Sequence, residues 1–153
     1  MLASETDRHY EKGFVCGSFD LFHIGHLNLL RNAKRRCDYL QVAVLTDKSI
    51  IGYKKRPPAI PLAERMEIIR ELRCVDDVDV ITPELMPHMA MLEKFHFDAK
   101  FSGDDSIGKP DWVEAEKQYN RLGVDLVFFP YTKNRSTTGI MKDLEERLLS
   151  KIS

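Results

Sequence analysis

Two histidines, His23 and His26, stand three residues apart in Gly17-Ser18-Phe19-Asp20-Leu21-Phe22-His23-Ile24-Gly25-His26. Imidazoles this close can donate hydrogen bonds to an anion, ligate a metal, or cap and pack a turn. The preceding Gly13-Phe14-Val15-Cys16 reads as a buried strand, and Ile24 to Cys37, with Leu27, Leu29, Leu30 and Ala33, as a helix. The pair therefore sits where a strand ends and a helix begins. Free backbone N–H groups and the positive helix end attract phosphates there. Two imidazoles would add donors to a phosphate whose charge grows during reaction. A capping and packing role stays open. A metal role is disfavoured, because no further His or Cys lies at ligand spacing. Gly17 and Gly25 would let a phosphate approach the backbone. Ser18 offers a hydroxyl donor. Asp20 reads as orienting the turn, since a carboxylate repels phosphate, and Phe19 and Phe22 read as core.

Three further segments carry candidate chemistry. Lys54, Lys55 and Arg56 form a basic run ahead of Pro57-Pro58; such a run is either a solvated loop or a phosphate-neutralising one. Gly103-Asp104-Asp105 follows the strand-like Ala99-Lys100-Phe101-Ser102 and could either cap the next helix or place carboxylates near a base. Ser136-Thr137-Thr138 reads as a helix start, whose hydroxyls can cap the helix or join its N–H groups on a phosphate.

These candidates must be positioned by an alternation of strands and helices. Val42 to Leu45 is a second strand, Pro61 suits a helix start, and Val75 to Ile81 is a third strand region. Pro83, Pro87 and the methionines from Met86 to Met91 predict a short irregular helix, with the methionines as packing. Asp111 and Glu114 predict a capping box for a helix reaching about Leu122, on which Trp112 reads as core or interface. Val124 to Phe129 is the most apolar strand, and Ile140, Leu144, Leu148 and Leu149 give a last helix its apolar face. Alternation of about five strands with helices predicts an α/β fold, a Rossmann-like doubly wound parallel sheet.

The 153 residues read as a polar N-terminal extension, residues 1–12, and a single domain, residues 13–153. Apolar residues make up 43% and charged residues 31% of the chain, an ordinary globular balance. With 23 basic and 24 acidic residues, no global field draws the chain to nucleic acid or an anionic membrane, so an anion site must be local. Cys16, Cys37 and Cys74 form no Cys-x-x-Cys pair and read as free thiols of a cytoplasmic protein. The start of the chain lacks a signal-peptide core, and no apolar run approaches membrane-spanning length.

The decapeptide resembles the Gly-x-Phe-Asp-x-x-His-x-Gly-His signature of cytidylyltransferases within the HxGH nucleotidyltransferase superfamily. Members act on glycerol-3-phosphate, phosphocholine or phosphoethanolamine. Tyr53-Lys54-Lys55 resembles the family's Tyr-Lys-Gly segment, with Lys55 in place of the glycine. Ala63-Glu64-Arg65 resembles its helix start, and Gly103-Asp104-Asp105 its Gly-His-Asp-Trp. Lys133 to Ile140 resembles Arg-Thr-Glu-Gly-Ile-Ser-Thr-Thr; the family's leading arginine falls on Tyr131, its glutamate on Lys133, its glycine on Asn134 and its isoleucine on Arg135.

The resemblance implies CTP and an alcohol phosphate as substrates, CDP-alcohol and pyrophosphate as products, Mg²⁺ travelling with CTP, and a homodimer. It implies catalytic roles for His23, His26, Lys54 and Arg65. Nucleotide contacts are implied for Gly17, Ser18, Phe19, Asp20, Gly25, Gly103, Asp104, Asp105, Arg135, Ser136, Thr137 and Thr138, with Lys133 or Arg135 replacing the missing arginine. The compact size points to glycerol-3-phosphate as acceptor. Phosphocholine, phosphoethanolamine or a sugar or polyol phosphate are alternatives, as are an ATP-using adenylyltransferase and an inactive nucleotide-binding module.

Overall fold

The computed structural model describes residues 1–132 and 136–152. The elements run β1 (Tyr10–Gly17), α1 (Ile24–Arg35), β2 (Cys37–Leu45), α2 (Asp47–Lys54), α3 (Leu62–Arg70), β3 (Asp77–Ile81), α4 (His88–Phe95), β4 (Ala99–Gly103), α5 (Pro110–Arg121), β5 (Asp125–Phe129) and α6 (Thr137–Ile152). The five strands form one sheet in the order β3-β2-β1-β4-β5, every pair parallel. The predicted doubly wound sheet is what forms.

Each face of the sheet has its own core, because successive strand side chains point to opposite sides. Val15, Val42 and Val44 pack with Leu30 and Ala33 of α1 and Ile69 of α3. Phe14, Ala43 and Leu126 pack on the other face with Met91 and Phe95 of α4 and Tyr119 of α5. The Phe14 ring stacks on Phe95 and Phe97 at 5.0 and 4.7 Å. Chain order runs outward from β1 in both directions, through β2 to β3 and then from β4 to β5. The carboxyl ends of β1 and β4 thus flank the switch point where open α/β sheets bind ligands.

Several local expectations are corrected. Residues 47–54 form α2, a helix not expected from the sequence, which takes in Lys54 of the expected basic loop. Thr46 Oγ1 caps it by accepting from the Ser49 N–H (3.2 Å), and Ser49 Oγ donates to the Ile81 carbonyl (2.8 Å). The helix ends at Lys55, whose φ of 60° is a left-handed cap that glycine enters without strain. The Asp111–Glu114 capping box is absent: Pro110 occupies the first turn of α5 and Lys109 is the cap residue. β1 begins at Tyr10, and residues before it lie along β5, where the Phe128 N–H donates to the Met1 carbonyl and Leu2 bridges Phe128. Helix α6 buries none of its residues, and Leu144, Leu148, Leu149 and Ile152 stay exposed.

Candidate active site

The turn after β1 is built around Asp20. Phe19 and Leu21 hold positive φ angles of 50° and 49°, which non-glycine residues adopt only when their surroundings enforce it. Asp20 supplies the enforcement. Its Oδ1 accepts from the Ile60 N–H (2.9 Å) and the Leu21 N–H (3.1 Å), and its Oδ2 from the Ala59 N–H (2.8 Å). Its carbonyl accepts from Thr137 Oγ1 at 2.8 Å. One carboxylate thus ties the turn to the α2–α3 connection, while its backbone holds the start of α6. These contacts fit the orienting reading of Asp20.

The histidines cap α1 reciprocally. His23 Nδ1 accepts from the Gly25 N–H (3.0 Å), and His26 Nδ1 accepts from the His23 N–H (3.2 Å). Their rings stack with centroids 3.8 Å apart. With both Nδ1 atoms accepting, the neutral tautomers carry their protons on Nε2. Burial, reinforced by His23 and Lys54, pulls the His26 pKa down to about 3. His26 is therefore a neutral donor at physiological pH. The capping reading and the phosphate reading are complementary, because the cap uses Nδ1 and leaves the chemistry to Nε2.

A cleft of about 470 Å³ opens at the switch point. Gly17, Ser18, Phe19, His23, Gly25, His26 and Lys54 line it together with Gly103, Asp105, Ser136, Thr137 and Thr138. Segments far apart in sequence thus converge on one space. Ser136 Oγ caps α6 by accepting from the Gly139 N–H (2.9 Å). The Lys54 pKa is lowered by burial and by Arg56, so an incoming anion would favour its charged form. Arg135 and Lys133 lie outside the described residues.

Other candidates are placed differently. Arg65 does not reach the cleft: it is 1% exposed and its donors are all turned inward. Nε donates to the Ile60 carbonyl, Nη1 to the carbonyls of Ser18 and Leu45, and Nη2 to Asp47 (2.6 Å). It organises the site from behind. Asp104 accepts from the Tyr131 N–H (3.1 Å), and of the two neighbours Asp105 lines the cleft. A Cβ at Gly103 would lie 2.9 Å from Asp105 Oδ1, the end of an exposed side chain that would have to turn aside. Gly17 is roofed by the Phe19 ring, 3.3 Å from where a Cβ would stand, so that glycine serves packing.

The sequence reading missed His88 and Lys100 in the α4–α5 wall of the cleft. His88, Lys100, Asp111 and Trp112 line it, beside Met86 and Met91. The methionines and Trp112 are cleft wall as well as packing. A lysine inside the short strand Ala99-Lys100-Phe101 was the available signal, since a buried strand rarely spends a charge without use.

Burial, then Lys100, pulls the His88 pKa down from 6.5 to about 4. Both depressed histidines bind a proton on unfolding in mildly acid solution, so stability rises with pH between about 4 and 6.5 and is lost as pH falls through that window. Thermal unfolding followed by circular dichroism from pH 4.5 to 7.5 checks this. His88→Gln should flatten the slope, and an unchanged slope would show that His88 carries none of it.

A parallel α/β sheet with paired imidazoles and helix-start hydroxyls around its switch point defines the class, an HxGH-type nucleotidyltransferase. The chain belongs to the Cytidylyltransferase-like family, which matches residues 14–143. It is 33% identical over 136 residues to a glycerol-3-phosphate cytidylyltransferase of Bacillus spizizenii, covering 88% of this chain and 97% of that one. It is 29% identical over 127 residues to an FAD synthase of Thermococcus kodakarensis, covering 83% and 85% of the two chains. It is 32% identical over 142 residues to an ethanolamine-phosphate cytidylyltransferase of Arabidopsis thaliana, covering 89% of this chain but only 32% of that longer protein. Among solved structures, a lipopolysaccharide core biosynthesis protein of Thermoplasma volcanium matches with a TM-score of 0.66 at 25% identity, over 82% of this chain and 99% of that one. No described helix is long and apolar enough to cross a membrane.

Proposed function

We propose that this enzyme transfers the cytidylyl group of CTP to a small phosphorylated alcohol, with glycerol-3-phosphate as the first candidate, and releases pyrophosphate. The observation that carries the reading is the shared cleft of about 470 Å³, which the His23–His26 pair and the Ser136 to Thr138 helix start line together. An oxygen of the acceptor phosphate attacks the α-phosphorus in line. The new P–O bond forms as the bond to pyrophosphate breaks, and the leaving electron pair stays on pyrophosphate. No protein nucleophile is required.

The Nε2–H groups of His23 and His26 donate to the α-phosphate as its charge grows. The Lys54 ammonium neutralises charge at the mouth of the cleft. Ser136, Thr137 and Thr138 receive the pyrophosphate end at the start of α6. Holding both reactants in line supplies much of the remaining acceleration. Mg²⁺ would neutralise triphosphate charge and be held by the phosphate oxygens and water. Among the described residues no group of three or more His, Cys, Asp or Glu could add a cage. The homodimer implied by the family is part of the proposal, and sedimentation equilibrium tests it.

Similarity to the Bacillus glycerol-3-phosphate enzyme over nearly its whole length supports the acceptor class. The comparable match to an FAD synthase favours one rival, adenylyl transfer, because forming FAD from a flavin phosphate adds an adenylyl group. Pyrophosphate release measured with CTP and with ATP, each across a panel of phosphorylated alcohols, separates the two. The proposal expects CTP with glycerol-3-phosphate to lead. Preference for ATP would overturn the nucleotide assignment, and tight CTP binding without release on any acceptor would indicate an inactive binding module.

A further inference from the structure

One wall of the cleft holds a buried lysine that the transfer step does not use. Lys100 stands in β4, is 1% exposed, and lines the cleft on the α4–α5 side. Its Nζ lies 3.0 Å from His88 Nδ1, 3.2 Å from Met91 Sδ and 4.7 Å from the centre of the Trp112 ring. His88 turns its other nitrogen, Nε2, toward Asp111 Oδ2 at 3.6 Å, and its ring meets Trp112 edge-on at 4.6 Å. Lys100 joins none of the ion pairs among the described residues.

A buried ammonium is costly unless negative charge or good acceptors surround it. An imidazole nitrogen, a thioether, the Cys16 thiol and an aromatic face meet that need weakly, and Asp111 adds some electrostatic support. Burial accordingly disfavours the charged form of Lys100, and an oxygen ligand placed beside it would reverse that. Asn28 and Asn32 of α1 also line the cleft, with Asn28 Nδ2 donating to Thr132 Oγ1 at 3.3 Å. The imidazole pair lies at the start of α1 and the hydroxyls at the start of α6, so the transfer step leaves the α4–α5 wall without an assigned role.

We propose that Lys100, backed by His88 and Trp112, receives the end of the acceptor distal to its phosphate, and that it selects an oxygen-rich end, hydroxyls or a carboxylate, over an ammonium. The proposal rests on the transfer reaction above and narrows its acceptor. Hydroxyl and carboxylate oxygens accept from Nζ. An ammonium or quaternary ammonium offers Nζ no acceptor oxygen and repels its charged form, which at about 5 Å corresponds to roughly a hundredfold in affinity. Asp111 lines the same wall and favours the charged form of Lys100, but its largely solvent-exposed carboxylate, turned to His88, offsets only part of this effect.

Trp112 is the only tryptophan of the chain and reports on the site directly. Its fluorescence is followed while the full-length protein is titrated with phosphoglycolate, glycerol-3-phosphate or phosphoethanolamine. These are short phosphate esters ending in carboxylate, hydroxyl and ammonium. The first two should bind at least about tenfold more tightly than the third. Lys100→Met should erase that preference while CTP affinity, measured by calorimetry, holds. If that variant fails to fold, Lys100→Gln keeps a donor without charge and must lose the preference of carboxylate over ammonium. Equal binding of phosphoethanolamine to the wild-type protein, or a preference that survives loss of the charge, overturns the proposal. Preference in the titration without pyrophosphate release from any nucleotide would sink the transfer reading and keep the receptor. Turnover of phosphoethanolamine equal to that of glycerol-3-phosphate would do the reverse.

Discussion

His26→Ala should lower kcat by about 10²- to 10³-fold while moving the KM for CTP only a few-fold. The asymmetry follows from what His26 offers. Its Nδ1 is committed to the His23 N–H, so the group facing substrate is a single Nε2–H donor on a neutral ring. A neutral donor gains little from the ground-state phosphate, which water also solvates well. It gains more as charge builds on the α-phosphate in a site that excludes water. Part of the loss will be structural, because removing the ring also leaves the His23 N–H without its acceptor, worth about 1 kcal/mol of helix capping. A thermal melt of the variant separates that part from the kinetic loss. Equal losses in kcat and in CTP affinity would instead assign His26 to ground-state binding. With a pKa near 3, His26 should contribute no inflection to the pH–rate profile between about pH 5 and 8. An inflection that disappears in the variant would mean that the ring titrates during turnover.

The parts of this site legible in the sequence are those built from local spacing. His23, Ile24, Gly25 and His26 announce themselves because a reciprocal cap needs residues at fixed separation on one helix start. Ser136 was legible as a cap for the same reason. The strands were legible because a parallel sheet covered on both faces needs continuous apolar runs such as Val124 to Phe129. Long-range pairing left no such mark. Nothing near Lys100 in sequence tells that Met91, His88 and Trp112 will surround it, since these residues meet only when α4 and α5 pack on one face of β4. Residues 47–54 were missed because α2 is short and only weakly amphipathic, and it is fixed by Ser49 reaching the end of β3. Arg65 shows the converse error. A family motif marks that an arginine matters without saying whether it faces substrate or the backbone that shapes the site.

The second large effect follows from that placement. Arg65→Met should destabilise the fold by about 3–5 kcal/mol, among the largest losses a single substitution produces. The guanidinium is fully enclosed, while its carboxylate partner Asp47 remains half exposed. The pair itself is therefore a modest contributor. The larger loss comes from the carbonyls of Ser18, Leu45 and Ile60, which surrender charge-assisted donors at 2.7–2.8 Å in a site that water does not readily enter. These carbonyls belong to the motif turn, the end of β2 and the approach to α3, so one side chain fastens three segments bordering the cleft. Arg65→Lys should recover only part of the loss, because a compact ammonium cannot serve three carbonyls and a carboxylate with the geometry of a planar fork. Urea unfolding midpoints of the two variants measure this directly. CTP affinity under conditions where the variants stay folded supplies the control. A folded Arg65→Met protein with a wild-type midpoint and greatly weakened CTP binding would return Arg65 to the phosphate-clamping role. A collapsed midpoint, with CTP affinity nearly kept in the folded fraction, would establish that this arginine shapes the nucleotide site from behind its wall.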